Sequence, residues 1–216
     1  MECLENKKYL LFDFDGTLVD SSQGIFASIQ YALAQLALPS VDQKILTTFI
    51  GPPLLDSFKQ LGLSDENANQ AVKYYREYYA KTAIYQVQLY PQIKEVLKSL
   101  SKQYALYIAS SKPEIFVKQI AKHLTIDQYF TGIYGADLEG KRAKKADVIN
   151  YALATSYLTP SAGLMIGDRA HDCLGAKANQ LDAIGVLYGF GSKEELLAAK
   201  AEYLCDEPVD LVTLLT

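Results

Sequence analysis

Two aspartates, Asp13 and Asp15, close the apolar run Tyr9-Leu10-Leu11-Phe12, and Gly16 follows them at once. The run has the composition of a buried strand. Asp13 and Asp15 share its parity, so a continued pleat turns both the same way at its carboxyl end. In an open α/β sheet that end is where ligands bind. Two carboxylates placed there repel each other and need a cation or a proton between them. The residue types therefore point to a Mg²⁺ site, with one Asp available as a nucleophile.

Three further groups could work with this pair. The run Tyr104–Ala109 leads into Ser110-Ser111-Lys112-Pro113. A hydroxyl beside the amides that open a helix suits a phosphate, although a lone serine after a strand is most simply an N-cap. Lys141, Arg142, Lys144 and Lys145 crowd one loop. Most of these read as solvated, but one could supply the cation that offsets a phosphate. Ile166-Gly167-Asp168 is another apolar run ending in an acid, with Asp172 four residues on. Asp172 reads as a group orienting a metal-bound water or Lys145, as the N-cap of a helix from Cys173 to Asn179, or as both at once. His171 reads as loop packing, and Arg169 as a weaker substrate contact.

These groups need elements to position them. Strand candidates are Tyr104–Ala109, Gly132–Gly135, Gly163–Gly167 and Ala183–Leu187. Helix candidates are Pro91–Lys102, Pro113–Lys122, Lys145–Tyr157 and Cys173–Asn179. Alternation of this kind predicts an α/β fold with a doubly wound parallel sheet. Residues 22–86 break the rhythm. Ile25, Ile29, Leu33 and Leu36 form a helical stripe, Tyr74–Tyr79 belongs to another helix, and Gly51-Pro52-Pro53 punctuates the segment. This stretch reads as a small helical bundle inserted after the first strand.

Composition narrows the function. The 216 residues allow one good core plus a smaller appendage. A net charge of −4 disfavours general affinity for nucleic acid. The N-terminus has no long apolar stretch, so neither a signal peptide nor a membrane span is indicated. Cys3, Cys173 and Cys205 are widely spaced with no CxxC pair, which fits reduced thiols in a cytoplasm. Two histidines without HExxH spacing argue against a zinc hydrolase.

DFDGTLVDS, from Asp13 to Ser21, resembles motif I of the haloacid-dehalogenase-like phosphohydrolases. Ser110 matches motif II, Lys145 (with Lys144 as the alternate) matches motif III, and the GDxxxD run from Gly167 to Asp172 matches motif IV. The resemblance implies a Rossmann-like core at 1–20 and 88–216, with a helical cap at 21–87 that supplies substrate choice. It implies a Mg²⁺-dependent phosphomonoester hydrolase working through an aspartyl-phosphate. Asp13 would be the nucleophile and Asp15 the acid and base. Asp13, Asp168 and the backbone carbonyl of Asp15 would hold the metal, and Asp172 would support from behind. Gly16, Thr17, Ser110, Ser111, Lys112 and Lys145 would cradle the phosphate. The charge on Lys145 matters most once the phosphoryl group arrives, so its loss should cost turnover far more than stability.

A dehalogenase shares the nucleophile but lacks the second aspartate of motif I. A phosphoglucomutase-like transferase shares the motifs, and a non-turnover phospho-acceptor receiver module shares Asp and Mg²⁺ on a parallel sheet. SKPEIFVKQI and GVLYGFGSKEEL resemble the phosphoglycolate phosphatase and 5′-nucleotidase-like branch. The implied partner is a small phosphorylated metabolite, with no nucleic acid polymer and no membrane. The implied protein is a monomer or weak homodimer in the cytoplasm.

Overall fold

The computed structural model describes residues 4 and 6–216. Cys3 lies outside them. The chain divides into two compact units. One is the chain up to Val19 together with Leu89–Thr216, and the other is Asp20–Gln88.

Among the described residues the strands are β1 (Tyr9–Phe12), β2 (Val19–Asp20), β3 (Gln88–Leu89), β4 (Ala105–Pro113), β5 (Phe130–Ala136), β6 (Gly163–Gly167), β7 (Asp182–Val186) and β8 (Tyr203–Cys205). Helices α1 (Ser22–Gln35), α2 (Gln43–Thr47), α3 (Leu54–Gln60) and α4 (Asp65–Tyr78) build the second unit, with a π-helical turn at Tyr79–Ala83. The first unit carries α5 (Ile93–Leu100), α6 (Glu114–His123), α7 (Lys145–Thr155), α8 (Ala170–Ala178), α9 (Lys193–Ala198) and α10 (Asp210–Leu215).

The helical unit follows its apolar periodicity. Ile25, Ile29, Ala32 and Leu33 are buried on α1, and Ala68, Ala71 and Tyr75 on α4. Ser64 caps α4 by accepting from the Asn67 amide at 3.3 Å. Phe49 and Phe58 meet edge to face at 5.0 Å.

The first unit is a sheet in the order β5-β4-β1-β6-β7-β8, and every pairing is parallel. The chain therefore runs outward from β1 through β4 to β5, then returns to the other side of β1. That reversal is the topological switch point, where α/β sheets open a crevice at their carboxyl ends. Both faces of the central strands are buried. Tyr9, Leu11, Tyr107, Ala109, Met165 and Ala183 pack with Val148, Ile149 and Ala152 of α7 and Cys173 and Ala176 of α8. Their alternates Leu10, Phe12, Leu106, Ile108, Leu164 and Ile166 are equally buried, as a sheet covered on both sides requires. Cys173 and Cys205 are free thiols in the interior. Among the described residues no helix is long and apolar enough to cross a membrane.

Several boundaries differ from the sequence reading. β1 stops at Phe12, so the pleat does not reach Asp15, whose backbone instead bridges to Val19. β4 continues through Pro113, and its pairing with β5 slips between Ser110 and Pro113. Ser110 is therefore a strand residue and not a helix cap. α8 begins at Ala170, three residues before the expected start. β8 went unread because three residues carry too little periodicity.

Leu11 sits at the centre of this core. Leu11→Ala should cost about 2–5 kcal/mol of unfolding free energy in urea titration. A loss below about 1 kcal/mol would contradict the packing described.

Candidate active site

The turn after β1 is tightly tied. The Asp13 amide donates to the Ile166 carbonyl at 2.8 Å, extending the β1–β6 ladder by one rung. The Phe14 carbonyl accepts from Leu18 at 2.9 Å and Val19 at 3.1 Å, and the Gly16 amide donates to the Val19 carbonyl at 2.8 Å. Gly16 has φ +88°, and a Cβ there would overlap the carboxylate of Asp168. Both the backbone conformation and the close approach demand glycine.

Lys145 is the first residue of α7, and its side chain is 1% exposed. Its Nζ donates to the Ala109 carbonyl at 3.0 Å, lies 2.6 Å from Asp13 Oδ1 and lies 2.8 Å from Asp172 Oδ1. Neither carboxylate oxygen has another hydrogen-bond partner. One ammonium thus joins the residue after β1 and the middle of β4 to the first turn of α8. Lys144, the alternate, is the exposed N-cap of α7. Burial lowers the Lys145 pKa, but the charges of Asp13 and Asp172 outweigh it and raise the value above the ordinary range.

Asp172 is not an N-cap. It sits at the third helical position, where it accepts from the Arg169 amide at 3.0 Å. Burial opposes its charge, yet Lys145 and His171 hold its carboxyl below the usual range. Asp13 goes the other way, because burial lifts it to about 7 despite Lys145. Asp168 is also pushed well up, by burial and by the charges of Asp172 and Asp13. It is fully buried, with Oδ1 accepting from the Thr17 hydroxyl at 3.2 Å and Oδ2 from the Phe190 amide at 2.8 Å. In the sequence reading, Thr17 was a phosphate contact; in the structure its hydroxyl serves Asp168.

Asp13, Asp168 and Asp172 are all buried, and Lys145 pairs with only Asp13 and Asp172, which leaves this group short of positive charge. An oxygen-rich, electron-rich set of this kind fits a hard cation such as Mg²⁺. Asp13, His171 and Asp172 have ligand atoms within 4.8 Å of one another. Lys145 already lies against both carboxylates of that group, however. The charge of Asp13 also pushes the Asp168 carboxyl up, so these two carboxylates repel each other.

Asp15 meets Lys112, whose Nζ donates to both carboxylate oxygens at 2.9 and 3.0 Å. Ser110 is buried, and its hydroxyl accepts from the Lys112 amide at 3.3 Å. Ser111 lies beside them, half-buried, in the slipped part of β4. Arg169 Nε donates to Glu195 at 2.9 Å. Arg142 is no solvated loop charge: its Nε donates to the Gly135 carbonyl at 2.9 Å, and its guanidinium lies 3.7 Å from the Tyr151 ring centroid. Sequence reasoning named Arg142 only as one of four candidate loop cations, and it missed Glu195 and the Phe190 amide. The only signal for the last was the Gly-Phe-Gly spacing at 189–191.

The family model described as haloacid dehalogenase-like hydrolase matches residues 10–186. The chain belongs to this family. It is 43% identical over 198 residues to a 5′-nucleotidase of Pseudomonas aeruginosa, covering 91% of this chain and 90% of that one. A longer Mycobacterium tuberculosis protein, tyrosine-protein kinase PtkA, is 35% identical over 188 residues, 87% of this chain and 64% of that one. A phosphoglycolate phosphatase of Vibrio vulnificus is 27% identical over 215 residues, 95% and 94% of the two chains. The solved structure of a predicted phosphatase from Clostridium acetobutylicum superposes with TM-score 0.93 at 40% identity, covering 96% of this chain and 97% of that one. Within the family, this chain is a phosphatase.

The geometry revises the expectation for Lys145. Removing it leaves Asp13 and Asp172 buried without their cation, so Lys145→Met should lose about 3–5 kcal/mol of stability. Lys144→Met should stay within about 0.5 kcal/mol. Equal, small losses in denaturant titrations of both variants would contradict the buried contact.

His171 gives a pH test. The unfolded chain protonates it near 6.5 and the folded chain only at about 4, so its contribution to stability is present above 6.5 and fades as pH falls through that window. Asp13, raised to about 7, has the opposite sign: protonation favours the fold, so stability drops as pH climbs from 3.8. A site-resolved probe separates the two. The His171 ring resonance should titrate near 4 by NMR, and a midpoint at 6.5 would contradict the burial.

Proposed function

We propose that this phosphatase is a Mg²⁺-dependent phosphomonoester hydrolase that passes the phosphoryl group through Asp13. The observation that carries the reading is the placement of Lys145 Nζ 2.6 Å from a buried Asp13 at the switch point of the sheet. Asp13, Asp168 and the backbone carbonyl of Asp15 would hold Mg²⁺. When bound, the ion would neutralise phosphate oxygens and keep Asp13 ionised.

Asp13 attacks phosphorus and the ester P–O bond breaks. Asp15 delivers a proton to the departing alkoxide oxygen. Asp15 then takes a proton from water as that water attacks phosphorus, the Asp13–phosphorus bond breaks, and inorganic phosphate leaves. Lys145 offsets charge on the transferring group, and Ser110, Ser111 and the Gly16–Thr17 turn complete the cradle. Both oxygens of Asp15 accept from Lys112 in the structure. Acid–base work by Asp15 therefore requires Lys112 to yield, and an arriving phosphate gives that ammonium another partner.

The substrate we propose is a small organic monophosphate, of the nucleoside 5′-monophosphate or phosphoglycolate type. The names carried by two relatives and the resemblance of the closing GVLYGFGSKEEL run support it. Buried free thiols at Cys173 and Cys205 support a reducing, cytoplasmic setting. We propose a monomer or weak homodimer.

Metabolite monophosphates and p-nitrophenyl phosphate, assayed with Mg²⁺ and with EDTA, test the reading. Hydrolysis should vanish in EDTA and return with Mg²⁺. Asp13→Asn should abolish it, and Asp15→Asn should lower it about 10²–10⁴-fold. Full turnover by Asp13→Asn would sink the assignment of the nucleophile.

A further inference from the structure

The loop after β7 lies outside the four motifs, yet it touches two of them. The Phe190 amide donates to Asp168 Oδ2 at 2.8 Å, opposite the Thr17 hydroxyl on Oδ1 at 3.2 Å. The carboxylate is thus fixed from both sides. A Cβ at Gly189 would overlap the carbonyl oxygen of Gly16 and the side chain of Asp168, and one at Gly191 would overlap the carbonyl oxygen of Asp168. The loop backbone therefore lies flat against both the motif I turn and Asp168. The Tyr188 hydroxyl donates to the Thr17 carbonyl at 3.1 Å, while its ring meets Tyr90 edge to face at 5.1 Å.

We infer that Tyr188–Gly191 is the positioning element of the metal site. Through Gly189 and the Phe190 amide it sets the orientation of Asp168 relative to Asp13. The inference rests on the Mg²⁺ reading above. β1 and β6 bring the two carboxylates to neighbouring strand ends, but a strand end alone does not fix a side-chain torsion. The loop does so with a directed hydrogen bond and with contacts that only glycine admits. Neither Tyr188 nor Gly189 touches substrate in this account. Outer groups that orient a ligand commonly govern metal affinity by about 10–100-fold. Their replacement should therefore weaken Mg²⁺ binding even when the fold survives.

The test is the melting temperature of the full chain against Mg²⁺ concentration, with no substrate present, since a ligand that binds only the folded state raises it by mass action. The wild-type protein should show saturable stabilisation. Gly189→Ala should shift the half-saturating Mg²⁺ concentration upward by about tenfold or more. Tyr188→Phe removes one hydroxyl, keeps the ring, and should shift it several-fold in the same direction. It decides the matter if Gly189→Ala does not fold. Wild-type stabilisation with an unchanged half-saturation point in the folded variants overturns this inference alone. No Mg²⁺ stabilisation of the wild-type protein overturns the metal reading and this inference together.

Discussion

Lys145 brings an ammonium into the protein interior, and the candidate site is arranged around that charge. Its side chain is 1% exposed and touches Asp13 and Asp172, which are as deeply buried. Desolvation alone would drive all three toward their neutral forms, so the ion pairs offset a large penalty. The compensation is incomplete, because Asp168 adds a third carboxylate, and the carboxyls of Asp13 and Asp168 are both pushed upward. A fold optimised for stability alone would not keep this imbalance. The excess of buried carboxylates at Asp13, Asp168 and Asp172 is what supports the proposed cation site.

The sheet explains how these groups meet. β1 is flanked by β4 and β6 because the chain reverses its winding direction there. Asp13 and Asp168 follow β1 and β6, the Ser110–Lys112 segment lies in the last part of the adjacent β4, and Lys145 opens the helix that follows β5. Groups far apart in sequence become neighbours because parallel strands all deliver their carboxyl ends to one edge. The loop after β7 then closes on the same edge from the far side.

Much of this was legible in the residues. Alternating buried runs and helical periods define the sheet and the helical unit, since burial on both faces leaves near-continuous apolar strands. Asp13, Lys145 and Asp168 stood out because each is a charge at the end or start of an apolar element. Partner choice was not legible. Whether Asp15 meets a substrate or Lys112 depends on a slip in the β4–β5 pairing that no period encodes. The Thr17 hydroxyl and the Phe190 amide are ordinary polar groups whose target, Asp168, is set by tertiary approach. The start of α8 was misplaced for a similar reason. Asp172 resembles a cap in sequence, but it serves Lys145 and the Arg169 amide from inside the first turn.

The central claim is that Asp13 carries the phosphoryl group. Its most direct test is acid quenching of the enzyme during turnover, borohydride reduction of the acyl phosphate, and peptide mapping by mass spectrometry. The account predicts reduction at Asp13 alone, within the peptide containing Phe12 and Phe14. Modification at Asp15, Asp168 or Asp172 with Asp13 intact would contradict it.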